Sequence, residues 1–272
     1  MNPPTASFTA VVLALKRFFQ EQKEILLAVI LQDMKTRYGS SYLSYLVAIL
    51  WPFSHMAVLI IAYMIINHYA PVGDDPFIFV ATAVIPYMLC LYPSRLIAMS
   101  ILINRPFLSY NVVSPQHLIF ARVVLEFFNL TIVMLVVASI CYALETNIVP
   151  LSLIDAATAL FASISFGIAL GFFFAVMVAV FGQVFLMLII LIMIVLYVGS
   201  FPFVPEYILA SNSREYLSYN PIFCLIKWLR SAYYPSYQLD DIPKFYVVTL
   251  SIGFIFFGAL SERFARGRIV GH

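Results

Sequence analysis

Apolar positions along this chain gather into long unbroken runs, unlike the alternation of a half-buried strand or the narrow apolar face of a soluble helix. A helix needs about 20 apolar residues to cross a bilayer. On that ruler the pattern predicts six spans, at 44–67, 77–100, 118–143, 153–179, 183–203 and 245–264. Residues 9–38 read differently: Leu15, Phe18, Phe19, Ile25, Leu26, Val29 and Ile30 are interleaved with Lys16, Arg17, Glu21, Lys23 and Glu24. Charges that dense are costly in hydrocarbon, so this segment is expected to lie as an amphipathic helix along the cytoplasmic leaflet rather than to form a broken first span. The stretch 204–243 alternates apolar pieces with breakers such as Asn220-Pro221 and Tyr234-Pro235. Two short helices, at 205–219 and 222–233, are expected there, dipping into the outer leaflet as re-entrant segments that pack on protein or line a watery cavity. The expected fold is an all-α integral membrane domain over 1–272, with an interface helix, spans one to five over 44–203, an outer re-entrant loop and a last span at 245–264.

Composition sharpens the exclusions. Of 272 residues 63% are hydrophobic and 10% charged, with a mean hydropathy of +0.99, whereas soluble domains carry about 25% charged residues. This rules out a soluble enzyme, a nucleic-acid binder and a disordered scaffold. The net charge of +2 adds no polyanion signature. Residues 1–10 lack a positive stretch ahead of an apolar core, so no cleavable signal is expected. Lys16, Arg17, Lys23, Lys35, Arg37, Arg105, Arg263, Arg266 and Arg268 fall on one predicted face, while Arg214, Lys227, Arg230 and Lys244 border the long loop on the other. The richer face is cytoplasmic and holds both termini.

Span four repeats a small residue at every fourth position, through Ala159, Ser163, Gly167, Gly171, Ala175 and Ala179. Lipid offers helices no hydrophobic reason to associate, so such a ladder marks a seam where a second helix approaches closely. Cys90, Cys141 and Cys224 lie far apart without a CxxC, and read as buried small hydrophobes. His55, His68, His117 and His272 show no ligand spacing, so no metal site is expected, and no GxxxxGK[ST], HExxH or GxSxG occurs. Within the spans the ionisable residues are mainly Arg95, Arg122 and Glu126. Arg122 and Glu126, four apart, are expected to form a structural ion pair. With no carboxylate expected near the midplane, an ion-coupled carrier is disfavoured, and the energy source is expected to lie in another chain.

The run DMKTRYGSSYLSYLVAILWP, from Asp33 to Pro52, resembles the entry to the first span in permeases of ABC-2-type polysaccharide exporters, through Asp33, Lys35, Arg37, Tyr38, Ser41, Trp51 and Pro52. Ser44 stands where that family usually has Gly. PVGDDPFIFVATAVIPY (Pro71 to Tyr87) and NRPFLSYNVVSPQHLIFARVVLE (Asn104 to Glu126) resemble the capsular polysaccharide branch in particular, through Asn104, Arg105, Leu108, Val113, Pro115, Ala121, Arg122, Leu125 and Glu126. NPIFCLIKWLR (Asn220 to Arg230) and the basic tail extend the resemblance over nearly the whole chain, although Cys224 and Lys227 stand where relatives often carry His and Glu.

The resemblance implies a permease subunit, not an enzyme, in the bacterial inner membrane. Two copies would pair with two copies of an ATPase that holds ATP and Mg, to export a lipid-linked, acidic capsular polysaccharide, with periplasmic export proteins as further partners. No cofactor is implied in this chain. Residues 104–115 would form the coupling segment against the ATPase, using Asn104, Arg105, Pro106, Val113 and Pro115 together with Lys35 and Arg37, and Phe181-Gly182-Gln183 is a second contact. Sugars stack flat C–H patches on rings, which nominates Trp51, Tyr87, Tyr92, Tyr216, Tyr219, Trp228 and Tyr233 for the path, with Arg95 and Arg230 for an anionic polymer or its phosphate-bearing lipid end. The alternatives are an O-antigen or teichoic acid exporter, or a membrane-embedded glycolipid transferase. A transferase would need acids at headgroup level, and the paired acids Asp74, Asp75, Asp240 and Asp241 fall in outer loops, where they suit polar caps. The charge bias also fixes an expected outcome: a reporter active only in the cytoplasm works when fused after His272, and activity only outside that compartment would refute the six-span arrangement.

Overall fold

In a computed structural model, which describes residues 8–39, 42–66, 70–143, 145–146, 148–237 and 242–270, the chain folds into helices without a strand among those residues. They are α1 (Phe8–Tyr38), α2 (Tyr42–Ile66), α3 (Pro76–Ala98), α4 (Ser100–Ile103), α5 (Pro115–Ala143), α6 (Leu153–Phe181), α7 (Gln183–Val198), α8 (Ser211–Leu217), α9 (Pro221–Ser231) and α10 (Lys244–Val270). Local chemistry sets where several of them begin. Asp75 accepts from the Phe77 amide at 2.8 Å ahead of Pro76, Ser152 accepts from the Asp155 amide at 3.3 Å, and Asn220 accepts from the Ile222 amide at 2.9 Å ahead of Pro221. Each supplies an acceptor for amides that the first helical turn leaves without a partner. Asp75 is thus a polar cap, while Asp240 and Asp241 lie outside the described residues. Gly182 separates α6 from α7 at φ +82°, a backbone shape that side chains disfavour.

Five helical segments among the described residues are long and apolar enough to cross a membrane: Leu46–Ile66, Pro76–Ile103, Pro115–Ala143, Leu153–Phe181 and Lys244–Ile269. The fifth predicted span, 183–203, is represented by α7, whose 16 residues rise only about 24 Å against a hydrocarbon core of about 30 Å. It breaks at Gly199 and Ser200. The stretch predicted as one helix at 205–219 is a single 3-10 turn, Glu206–Ile208, followed by the exposed helix α8. By contrast, α9 is buried along its whole length.

The bundle is built around α3. The central window of that helix is 83% buried, against 56% for α6 and 17%, 28% and 22% for α2, α5 and α10. The last three therefore turn most of their apolar side chains outward, as expected where lipid is the solvent. Phe79, Val84, Met88 and Cys90 of α3 pack with Phe166 and Leu170 of α6, Ile189 and Met193 of α7, and Leu225 of α9 in one large core. A second, smaller core joins Ile97 and Ile101 to Leu118 and Ile119 of α5, Val176 of α6, Val29 of α1 and Ile269 of α10. The interface helix is therefore docked on the bundle by Val29, with Ile25, Leu26 and Ile30 half-buried beside it.

The small residues of α6 lie in this architecture as a seam against α3. Ala159, Ser163, Gly167 and Gly171 are all buried, and the Cys90 thiol donates to the Ser163 carbonyl at 3.2 Å. A Cβ on Gly167 would fall 2.7 Å from the Cys90 carbonyl oxygen and 2.8 Å from its Cα, both rigid backbone. At Gly171 it would meet the Pro93 carbonyl oxygen and the Ser94 Cα at 3.0 Å. Gly167→Ala should accordingly push α3 and α6 apart at a cost of about 1–3 kcal/mol, read as a lower melting temperature of the protein in detergent. Gly253→Ala, where the added Cβ meets no atom within 4 Å, is the matched control and should leave melting unchanged.

Candidate functional site

A cleft of about 480 Å³ opens between α2, α3 and α5. It is made from short helical repeats that place polar side chains on one face. Trp51 and His55 are four apart on α2, Tyr92 and Arg95 three apart on α3, and Arg122, Glu126 and Asn129 follow at four and three on α5. Trp51, Tyr92, Arg95, Arg122, Glu126 and Asn129 line it, with Val47, Leu96 and Leu130 supplying apolar wall. A second recess of about 350 Å³ continues from it past Trp51, His55, Tyr92 and Arg95. Trp51 is 62% exposed beside it, so this ring is held at the open side of the cleft and not in the packed core.

The two arginines of the cleft are handled in opposite ways. Arg122 is 1% exposed; its Nη1 lies 3.1 Å from Asp33 Oδ2 of α1, and its Nη2 pairs with Glu126 one turn along α5. Asn104 donates through Nδ2 to Asp33 Oδ1 at 2.9 Å and to the Ser100 carbonyl at 3.1 Å. One buried cation therefore ties the interface helix, the end of the α3–α4 segment and α5 together. A charge taken from water is tolerated when its partners are fixed in this way. Arg95 has no ion pair among the described residues. It is half-buried, with its guanidinium carbon 5.8 Å from the centroid of the Tyr92 ring. The Tyr92 hydroxyl is in turn within 3.2 Å of His55 Nδ1.

No family model matches the chain. Two relatives from Escherichia coli, each a polysialic acid transport protein KpsM, are 28% and 27% identical to it over 255 residues, covering 90% of this chain and 96% of the relative. This similarity is to transport proteins. It runs along nearly the entire chain, so it includes both the cleft and the turn that follows α4.

That turn is a 3-10 helix, Arg105–Ser109, followed by bends up to Pro115 at the start of α5. Pro106 and residues 109–112 are exposed, Arg105 and Val113 half-buried, and Asn104 and Pro115 buried. Lys35 is exposed on the last turn of α1; the side chain of Arg37 lies outside the described residues.

Of the residues nominated from sequence for a substrate path, the fold brings Trp51, Tyr92 and Arg95 together in the cleft. The others lie elsewhere. Tyr87 stacks on Tyr197 of α7 with ring centroids 3.9 Å apart, inside the large core. Trp228 is buried with the Lys244 ammonium 5.1 Å from its ring centroid, and Tyr233 donates to the Ile148 carbonyl at 3.1 Å. Tyr216 and Tyr219 are exposed at the end of α8. Arg230 is buried with its guanidinium 4.0 Å from the Phe79 ring centroid, donating to the carbonyls of Phe79 and Pro202 and to the Tyr237 hydroxyl. Lys227 pairs with Glu206 at 2.7 Å, so the cation at the position that departs from the resemblance has a carboxylate nearby.

Sequence reasoning passed over His55 and Asn129 as cleft residues and did not link Asp33 to Arg122. The polar stripe at 122, 126 and 129 was visible as helical spacing; the Asp33 link joins positions 89 residues apart and needs the fold. Arg122→Met should leave Asp33 and Glu126 buried without this cation, at a cost of roughly 3–5 kcal/mol, and sharply lower the yield of monodisperse protein. Adding Asp33→Asn and Glu126→Gln should recover much of that yield, because neutral groups of similar shape do not need the guanidinium. Equal loss in the single and triple variants would place the contribution of Arg122 in packing instead of charge.

Proposed function

We propose that this chain is the permease subunit of an ATP-driven ABC exporter that moves capsular polysaccharide across the bacterial inner membrane. The observation that carries this reading is the similarity to two polysialic acid transport proteins over 90% of the chain. Five membrane-competent helices agree with it. Polysialic acid is an acidic polymer, which favours acidic cargo for this chain. A glycolipid transferase is not favoured, because among the described residues no cluster of acids forms at the cleft beyond the carboxylates already matched to Arg122.

In the proposed assembly two copies of the permease pair with two ATPase subunits, which hold the ATP and Mg. Both termini face the cytoplasm, α7 with the residues following it completes a sixth crossing, and α9 is a re-entrant helix from the outer side. The cargo is lipid-linked, and periplasmic export proteins receive it. The exposed turn after α4 is the ATPase contact. Movement of that turn reaches the cleft through Asn104, Asp33 and Arg122, which are joined by hydrogen bonds and an ion pair. At the cleft the exposed face of Trp51 gives sugars broad contact that tolerates sliding, where fixed hydrogen bonds would hold one register.

Copurification tests the reading. A Walker-motif ATPase encoded beside this chain should copurify with it, and Arg105→Glu should weaken that association by about tenfold, as a charge reversed at a desolvated contact does. No copurifying ATPase, together with normal capsule export in a strain lacking this chain, would overturn it.

A further inference from the structure

Residues 105–114 leave the bundle after α4 and return to it at Pro115, and both ends of this excursion are tied to one helix. At the entry Asn104 donates to Asp33 of α1 at 2.9 Å. At the exit His117 meets Gln22 of α1, with Nε2 2.7 Å from Oε1. Gln22 and Asp33 are eleven positions apart, a spacing that returns to within about 20° of the same face and about 16 Å along the helix. The apolar contacts of Ile25, Leu26, Val29 and Ile30 fall between them, while Leu27 and Leu31, off that face, are exposed. The docking face of α1 is thus apolar in the middle and polar at both ends.

The imidazole of His117 makes two bonds at once. The Ser114 amide donates to its Nδ1 at 3.0 Å, and the His117 amide donates back to the Ser114 carbonyl at 3.0 Å. With Pro115 opening α5, His117 stands at the third helical position and takes the part that Glu or Gln ordinarily plays in a reciprocal cap. An amide can only donate, so Nδ1 carries no proton, and the neutral ring holds its proton on Nε2, aimed at the Gln22 oxygen. A glutamate there would cap α5 but bring α1 no proton to share. A second proton on the ring would set N–H against N–H at Ser114 and release the exit of the turn. From α10 the ring is faced by Arg266, which pairs with Glu262 at 3.3 Å, and the neighbouring Gln116 donates to Glu262 at 3.2 Å.

We infer that His117 is a positioning residue for the turn after α4: its neutral ring fixes the exit of the turn to Gln22, so that α1, held at Gln22 and at Asp33, carries the turn as one rigid unit. The consequence for coupling rests on the reading of this turn as the ATPase contact. A displacement imposed there moves α1 together with the turn and does not dissipate as a hinge at Pro115.

Amide hydrogen exchange of the full chain in nanodiscs, without any ATPase, tests this. After correction for the intrinsic pH dependence of exchange, residues 109–114 should lose protection by about three- to tenfold between about pH 8 and about pH 5, the scale of one net hydrogen bond over the range in which imidazole takes up its proton. His117→Leu should show the low protection at both pH values. Gln22→Leu, which leaves the cap of α5 in place, should cost about threefold at the higher pH. Gln22→Glu keeps the acceptor and should cost nothing, and Gln22→Leu added to His117→Leu should change nothing further. Unaltered protection in Gln22→Leu overturns the tie to α1. An acid loss that persists in His117→Leu assigns the titration to another group, such as Glu262, and overturns the role of the ring. Because exchange is read without the partner, these arms stand or fall independently of the export reading. In the complete complex Gln22→Leu should also weaken ATPase association by about threefold; loosened exchange with unchanged association would remove the turn from the ATPase contact and leave the tie to α1 standing.

Discussion

Arg122 is a charge at 1% exposure inside the helical bundle, and it is tolerable there only because Asp33 and Glu126 are brought against it. That requirement reaches three elements at once. Asp33 sits near the end of α1, Glu126 one turn further along α5, and Asn104, at the end of α4, completes the shell of Asp33. The first helix consequently cannot lift from the bundle without separating the buried Asp33 carboxylate from Arg122 and Asn104, and the turn after α4 is anchored by the same group. Apolar contacts of Val29 and Ile25 add area to this joint, but between helices in or beside lipid such area has little driving force of its own.

The second constraint is steric. Gly167 and Gly171 let α6 approach the backbone of α3 closely enough that any side chain at Gly167 would overlap it. Close approach along that seam buries α3 on most sides and leaves α2 and α5 as outer helices. The cleft follows from this arrangement: α2 stands off from α3 far enough to leave room, with Pro52 within its length, and the polar stripe of α5 closes the far wall. The packed seam and the open cleft thus lie on different faces of α3, which serves as a rigid wall to both.

At the other end of the molecule, α9 is pinned by polar contacts that apolar packing could not supply. Arg230 reaches Phe79 at the start of α3 and Pro202 in the segment after α7, while Lys227 meets Glu206 beyond it. An 11-residue helix too short to cross a bilayer is in this way made part of the core. Arg230 and Arg95, which look alike as in-sequence arginines among aromatics, end in different circumstances: one satisfied by carbonyls and a hydroxyl, the other facing a cleft.

The sequence by itself determined the class of the molecule and most of its helices, because hydropathy over about 20 residues is a local quantity set by the bilayer's thickness. The first helix, four of the membrane-competent helices that follow it, the last one, the Arg122–Glu126 pair and the small-residue run in α6 were all readable as spacing within one segment. Where local signals were weaker, the reading was coarser: 183–203 is a 16-residue helix and a break, and 205–219 is a turn and a short helix, since capping and tertiary hydrogen bonds end helices where composition alone would continue them. Which aromatic residues share a space could not be read from sequence at all. Tyr87 and Tyr92 lie five residues apart on one helix, yet one is stacked in the core on Tyr197 and the other lines the cleft under Arg95. Only the tertiary structure decides between them, because the side of α3 that meets α7 and the side that meets α2 are fixed by the packing of helices far apart in sequence.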